Sequence, residues 1–332
     1  MPLIEVSELS KTFQTFSRRE GVAGSFLDLF HREYRTLIAV DAISFNVEQG
    51  ELLGYIGPNG AGKSTSIKML TGILKPTSGR MKVIDFDPYL QRKTYTKHIG
   101  VVFGQRTQLW WDIAVIESLK LLAKIYDVTP VQFKDRLATL DEILGLKDLL
   151  HTPVRKLSLG QRIRCDMAAS LLHNPPVLFL DEPTIGLDAV GKDAVRGFLR
   201  RINKEFKTTI ILTTHDLNEI EELCKRIVVL DKGKILFDGS LASIKKLPGL
   251  KRRLQIDFPG TASVDSLKHK FGEEISAELQ GERRVLVAFD PGKISTVELI
   301  KELVSTQEIT DFTLTEPDIE EVIMKIYKGG IA

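Results

Sequence analysis

The run Gly57-Pro58-Asn59-Gly60-Ala61-Gly62-Lys63-Ser64-Thr65 is the densest chemical signal in the chain. It fits the spacing G-x-x-x-x-G-K-[ST]. An apolar strand pattern, ELLGYIG, leads into it, and a helical run, KSTSIKMLTGIL, follows. Glycines at 57, 60 and 62 let backbone N–H groups turn inward around phosphate oxygens, and a side chain at Gly60 or Gly62 would obstruct that approach. A helix starting near Lys63 points its positive end at the same anion. Lys63 reaches β- and γ-phosphates, and Ser64 offers a hydroxyl to Mg²⁺. The bland alternative is a chance glycine-rich turn, and the flanking strand and helix count against it.

A second signal is Val177-Leu178-Phe179-Leu180-Asp181-Glu182. An unbroken apolar strand is covered on both faces, and its carboxyl end is where ligands bind in open parallel sheets. Asp181 suits the Mg²⁺ shell, and Glu182 suits orienting and deprotonating a water. Asp-Glu-Pro is also a good helix start, which is the structural alternative. The third signal, Leu157-Ser158-Leu159-Gly160-Gln161, stands directly before a helical pattern. Ser158, the Gly160 backbone and that helix start make another small anion reader. A second reader suggests a nucleotide shared between two copies. A plain Ser158 N-cap explains the pentapeptide equally well.

These residues need elements to hold them. The 332 residues suggest about two domains. Lys+Arg 46 against Asp+Glu 44 leaves +2, so the chain as a whole has no polyanion-binding balance, and no nucleic-acid partner is expected. No apolar run approaches the roughly 18–20 residues of a membrane span. MPLIEVSELS has neither the basic start nor the apolar core of a secretory signal. Two cysteines, Cys165 and Cys224, allow neither a disulfide framework nor a four-cysteine zinc site and read as buried packing residues. LIEVSELSKTF alternates as a half-buried strand, and AVDAISFNV with ELLGYIG reads as a hairpin turned at Glu48-Gln49-Gly50. Residues 16–36 read as a short amphipathic helix with loose ends. TIILTTH is another buried strand, and IVVLDKGKILFDG a strand pair turning at Lys232-Gly233. After the basic linker KKLPGLKRR the pattern restarts as βαββαβ plus a closing helix, which resembles a ferredoxin-like unit.

The phosphate loop, LSLGQ, LFLDEP, Gly186-Leu187-Asp188 and Thr214-His215-Asp216 stand in the order found in ATP-binding cassette (ABC) ATPases. The chain resembles that family over about residues 3–240. The resemblance implies an α/β phosphate-loop NTPase core over residues 1–244, with a helical subdomain about 94–157 and an insertion about 16–36. Residues 245–332 would form an α+β accessory or regulatory domain. It implies ATP and Mg²⁺, with Ser64, Gln105 and Asp181 around the metal. Gln105 matches the family's Q-loop, and His215 the residue that contacts the γ-phosphate. Phe13 sits where an aromatic lies under the adenine. Asp188 would couple two sites across a head-to-tail dimer, where Ser158, Gly160 and Gln161 of one copy close on the nucleotide of the other. Core packing for Phe13, a helix cap for Asp188 and a structural role for His215 remain open alternatives.

Leu159 departs from the usual LSGGQ signature and must point away from the nucleotide. Trp110 and Trp111 follow the Q-loop, where the family docks its membrane permease; the alternative is that both are core. With the insertion and the ending Glu316-Pro317-Asp318, they resemble bacterial drug- and antibiotic-resistance exporters. The resemblance thus implies a cytoplasmic subunit on the inner face of the cell membrane, driving a separate permease docked near Gln105–Trp111. A non-transport ABC ATPase and an importer ATPase with a C-terminal regulatory domain are the alternatives. The insertion suits membrane contact through Arg18, Arg19, Arg32 and Arg35, permease contact, or a solvated surface helix.

Overall fold

Apolar strands that run unbroken pair in parallel at the centre of this chain, and alternating ones pair antiparallel at its edges. The computed structural model describes residues 2–16, 34–104, 106–245, 250–306 and 308–328. Strands β1 (Ile4–Phe16) and β2 (Tyr34–Val47) form a long antiparallel ribbon, with Ile4 opposite Val47 and Phe16 opposite Tyr34. The expected helix within 16–36 falls mostly on residues 17–33, outside the described residues. Strand β3 (Leu52–Ile56) does not pair with β2. The expected hairpin at Glu48-Gln49-Gly50 is therefore a crossover between two sheets. Gly50 takes a positive φ of 73°, and its N–H donates to Thr209 Oγ1 at 2.9 Å, across to the second sheet. Helix α1 (Lys63–Leu70) leaves the phosphate loop, and β4 (Ser78–Val83) returns to pair with β1.

The second sheet carries the site. It contains β3, β5 (Ile99–Phe103), β6 (Val177–Asp181), β7 (Thr209–Thr213), β8 (Arg226–Asp231) and β9 (Lys234–Ser240), in the order β5-β6-β7-β3-β8-β9. The ladders linking β5 through to β8 are parallel. Every residue of β3 and β7 is buried, as both-face coverage requires. The turn from β8 to β9 has φ of 46° at Lys232 and 82° at Gly233, the primed turn that suits a right-twisted pair.

Between β5 and β6 the chain builds α2 (Val115–Ile125), α3 (Pro130–Leu144) and α4 (Leu159–Leu171). Helix α3 opens with a capping box at Thr129 and Gln132 and stops at Gly145 in the left-handed region. Helix α5 (Ala189–Phe206) follows β6, and α6 (Leu217–Leu223) follows β7. Cys165 and Cys224 are buried free thiols, and burial pushes the Cys165 thiol up to about 12.

The chain divides into compact units at Met1–Asp238 and Gly239–Ala332, six residues before the sequence-based boundary at 244. The second unit runs β10 (Arg252–Asp257), α7 (Asp265–Phe271), β11 (Ile275–Leu279), β12 (Arg284–Phe289), α8 (Thr296–Thr306), β13 (Asp311–Thr315) and α9 (Ile319–Tyr327). Its sheet is antiparallel in the order β11-β12-β10-β13, the ferredoxin-like order. Leu254 and Ile256 face Val287 and Val285 across the ladder, and they share a core with Leu267, Leu299 and Leu303. Among the described residues, no helix is long and apolar enough to cross a membrane.

Candidate functional site

The phosphate loop lies between the carboxyl end of β3 and α1. Gly62 has a φ of 106°, and a Cβ there would meet Ala39 O at 2.5 Å. At Gly60 a Cβ would meet no protein atom within 4 Å, and what the protein itself demands there is the positive φ of 82°. Lys63 is buried, and its Nζ donates to Gly57 O at 2.7 Å and Pro58 O at 3.2 Å. Burial pulls its ammonium below the ordinary value, and the charges of Glu182 and Asp181 oppose that pull. Thr65 follows Ser64 in the first turn of α1.

The acidic pair shows how one strand serves two acids. Successive strand side chains point to opposite faces, so Asp181 and Glu182 would diverge if β6 continued. The strand ends at Asp181, and Glu182 takes a positive φ of 53°. The Glu182 N–H is pinned by Thr213 O at 3.0 Å and Thr213 Oγ1 at 3.1 Å. A non-glycine residue held there costs on the order of 1–3 kcal/mol and persists only where its surroundings fix it. The Asp181 carboxylate accepts from Ser64 Oγ at 3.2 Å and Thr213 Oγ1 at 2.6 Å, both on Oδ1. His215 Nδ1 lies 3.8 Å from Glu182 Oε2, and the imidazole is 60% exposed, which excludes a buried structural histidine. Asp216 caps α6 and pairs with Lys192 Nζ at 2.6 Å. Burial works to raise its carboxyl, but the bond to Lys192, the charge of Lys192 and the N–H groups of Glu219 and Asn218 together outweigh burial and leave it below its ordinary value.

Ser64, Phe103, Gly104, Arg106, Asp181 and Glu182 border a cleft of about 330 Å³. The donor set fits Mg²⁺: a hydroxyl and a carboxylate, both hard oxygens, already touch. Mg²⁺ takes one or two carboxylates plus substrate phosphates, so it needs no cluster of three metal-ligating side chains, and none occurs among the described residues. Gln105 lies outside the described residues.

Ser158 is the N-cap of α4. Its Oγ accepts from Gln161 N–H at 3.3 Å, and Gln161 Oε1 accepts from Ser158 N–H at 2.9 Å. Asp188 caps α5 by accepting from Gly191 N–H at 2.8 Å. Both capping alternatives are therefore realised in this structure. Gly160 is half-buried beside Leu187, and Leu159 turns toward Gly186. Phe13 is half-buried on β1, opposite Leu37, with Lys11 Nζ 5.1 Å from its ring centroid. Trp110 is 42% and Trp111 49% exposed, which removes the core alternative for both.

A family model described as ABC transporter matches residues 40–185. The bacitracin transport ATP-binding protein BcrA of Bacillus licheniformis is 30% identical over 298 residues, covering 90% of this chain and 95% of BcrA. The chain belongs to the ABC transporter ATP-binding proteins. The daunorubicin/doxorubicin resistance ATP-binding protein DrrA of Streptomyces peucetius is 31% identical over 303 residues, covering 88% of this chain and 89% of DrrA. A solved ATP-binding subunit of an ABC transporter shares the fold with a TM-score of 0.61 at 27% identity, over 74% of this chain and 92% of that one. As a member of this ABC family the protein binds and hydrolyses ATP.

Two residues outside the site's own motifs escaped the sequence reading. Thr213 fixes both acids from the next strand. Its trace in the sequence is a polar Thr213-Thr214 pair closing an apolar run. Asp166 on α4 is buried, and its Oδ1 accepts from Thr107 Oγ1 at 2.8 Å and Gln108 N–H at 3.0 Å. Burial pushes its carboxyl up to about 6, against the pull of those hydrogen bonds. A raised carboxyl favours the proton in the fold. Its stabilising contribution is complete below the ordinary value of 3.8 and is lost as pH rises through about 6. Asp166→Asn keeps the accepting oxygen and cannot ionise. Between pH 4 and 7 it should gain stability over the wild type by on the order of 2–3 kcal/mol. Thermal midpoints of both proteins across that range check this, and parallel pH profiles would refute it.

Proposed function

We propose that this chain is the ATPase subunit that drives a separate integral membrane permease, in the direction of export. It would work at the inner face of the cell membrane as a head-to-tail dimer with a second copy of itself. Residues 1–244 are read as the nucleotide-binding domain, with about 94–157 as its helical subdomain. Residues 245–332 are read as a regulatory or dimer-supporting domain. The phosphate loop, Gly57 to Thr65, holds the phosphates, with Lys63 as its fixed cation. Phe13 supports the adenine. Ser64, Gln105 and Asp181 hold Mg²⁺, which when bound neutralises charge on the phosphate oxygens. Glu182 accepts the proton of the attacking water, and His215, beside it, contacts the γ-phosphate. Ser158, Gly160 and Gln161 close on the nucleotide of the other copy, and Asp188 links the two sites.

The observation that carries the permease reading is the exposure of Trp110 and Trp111. Paired exposed tryptophans are unusual on a protein surface and common at interface anchors. The likeness to BcrA and DrrA, named for bacitracin transport and daunorubicin/doxorubicin resistance, supports export. Trp110→Ala or Trp111→Ala should weaken permease association by about 2 kcal/mol, roughly 30-fold in Kd, with folding and isolated ATPase activity intact. Co-purification of the full chain with its permease from membranes measures this; undiminished recovery would remove the docking site. Direction is tested with inside-out vesicles and daunorubicin. ATP-dependent accumulation that Glu182→Gln abolishes supports export, and uptake only into right-side-out vesicles reverses it.

A further inference from the structure

One face of α4 runs from the signature to the tryptophan pair. Ser158 caps the helix, and Gly160 lies in its first turn. Leu159, Arg162, Ile163 and Asp166 then follow at helical spacing on one side. They border a second cleft, of about 310 Å³, whose opposite wall includes Gly104, Arg106, Thr107 and Trp111. Two attachments cross between helix and wall. The Arg162 guanidinium carbon stands 5.3 Å from the Trp111 ring centroid. One turn further, Asp166 Oδ1 takes the Thr107 hydroxyl and the Gln108 N–H. Gln108 Nε2 also donates to the Asp166 backbone oxygen at 2.9 Å, and Leu109 N–H donates to Thr107 Oγ1 at 3.1 Å. Three donors of the segment, the Thr107 hydroxyl and the Gln108 N–H and side-chain amide, thus converge on a single helical residue.

A buried carboxylate is a costly way to hold a loop. Its return is stiffness, because Asp166 is buried and its bonds to Thr107 and Gln108 are partly shielded from competing water. We infer that Asp166 is a positioning residue that makes the Thr107–Trp111 segment move with α4. A nucleotide seated against Ser158 and Gly160 at the head of that helix would then be reported at Trp110 and Trp111. This rests on the reading of Ser158 and Gly160 as contacts to a nucleotide held by a second copy. Asp166 itself is not a catalytic residue: among the described residues its side chain bonds to Thr107 and Gln108 and to neither the phosphate loop nor the acidic pair.

The chain holds only two tryptophans, and both lie in the segment at issue. Its intrinsic fluorescence is therefore a local probe. The experiment uses the full chain with Glu182→Gln, so that Mg²⁺-ATP is held rather than consumed. Emission, dimer fraction by light scattering and nucleotide affinity by calorimetry are followed together. In that parent, Mg²⁺-ATP should form the dimer and shift the tryptophan emission. Adding Asp166→Ala should leave affinity and dimer intact and abolish the shift. Adding Asp166→Asn should retain the shift, because Oδ1 alone accepts both side-to-segment bonds. If Asp166→Ala does not fold, Thr107→Val decides, since it removes one of those bonds from the loop side and should diminish the shift.

A full shift in Asp166→Ala, or in Thr107→Val, overturns the inference. So does loss of the shift in Asp166→Asn, which would make the charge and not the bonds the active feature. An Asp166→Ala chain that binds nucleotide but no longer dimerises would mean that α4 itself is displaced, which also overturns it. A parent that dimerises with no emission change defeats the inference alone. A parent that binds Mg²⁺-ATP and stays monomeric defeats the shared-nucleotide reading, and the inference falls with it.

Discussion

Lys63→Ala should reduce ATP affinity by on the order of 10²–10³-fold. The ammonium is buried in its own loop, with only the carbonyl oxygens of Gly57 and Pro58 as hydrogen-bond partners among the described residues, at 2.7 and 3.2 Å. Two carbonyls take two of its three N–H groups and leave its charge unpaired. Asp181 and Glu182 act on it only through space, without a bond. A buried cation in that state gains most from an arriving anion, and charge-assisted bonds to phosphate are worth about 1.5–3 kcal/mol each. Losing the lysine removes those bonds and the tie that closes the loop. About 3–4 kcal/mol follows, which converts to the expected loss in Kd. Calorimetric titration with a slowly hydrolysed ATP analogue measures it. An affinity within error of the wild type, in a variant with an unchanged thermal transition, would show that the loop does not hold the phosphates. Hydrolysis should be lost together with binding.

Much of this site could be read before any coordinates. The phosphate loop, the β6 acids and the signature are each local in sequence, and local backbone chemistry dictates their form. Gly62 must be glycine because its φ is 106° with Ala39 O behind it. Strand geometry also makes Asp181 and Glu182 diverge, so a turn after the strand has to bring them together. What supplies that turn was not legible. Thr213 is 32 residues from Asp181, and Thr107 is 59 from Asp166. Those pairs meet only because parallel crossovers set β7 beside β6 and α4 beside the loop after β5. The crossover at Gly50 misled for the same reason. A glycine turn between two apolar runs is a hairpin signal locally, yet β3 finds better-covered neighbours in β7 and β8. Trp110 and Trp111 were undecidable from sequence, because tryptophan belongs equally to cores and to interfaces.

Glu182→Gln should cut hydrolysis by about 10²–10⁴ while leaving nucleotide binding intact, the range of one lost general base. The substitution is clean for a structural reason. The position of residue 182 is set by its backbone, through a φ of 53° and an N–H shared by Thr213 O and Oγ1. Glutamine keeps that backbone and the side-chain shape, and gives up only the ability to take a proton. Asp181 is fixed independently by Ser64 and Thr213, so the proposed Mg²⁺ ligands should be unaffected. Loss of Asp181 should behave differently, weakening Mg²⁺-ATP engagement itself. If Ser158 and Gly160 of a second copy contact the γ-phosphate, the slow variant cannot release them. Two ATP molecules should then stay trapped between two chains. Light scattering with Mg²⁺-ATP reads the dimer, and phosphate release reads the chemistry. Hydrolysis at the wild-type rate would take the base role from Glu182. Slow hydrolysis by a strictly monomeric protein would keep that role and remove the shared site. His215 separates the remaining possibility, because its Nδ1 lies 3.8 Å from Glu182 Oε2 and could itself receive the proton. His215→Ala should then abolish whatever residual turnover Glu182→Gln retains, and a double variant no slower than Glu182→Gln would leave Glu182 as the only base.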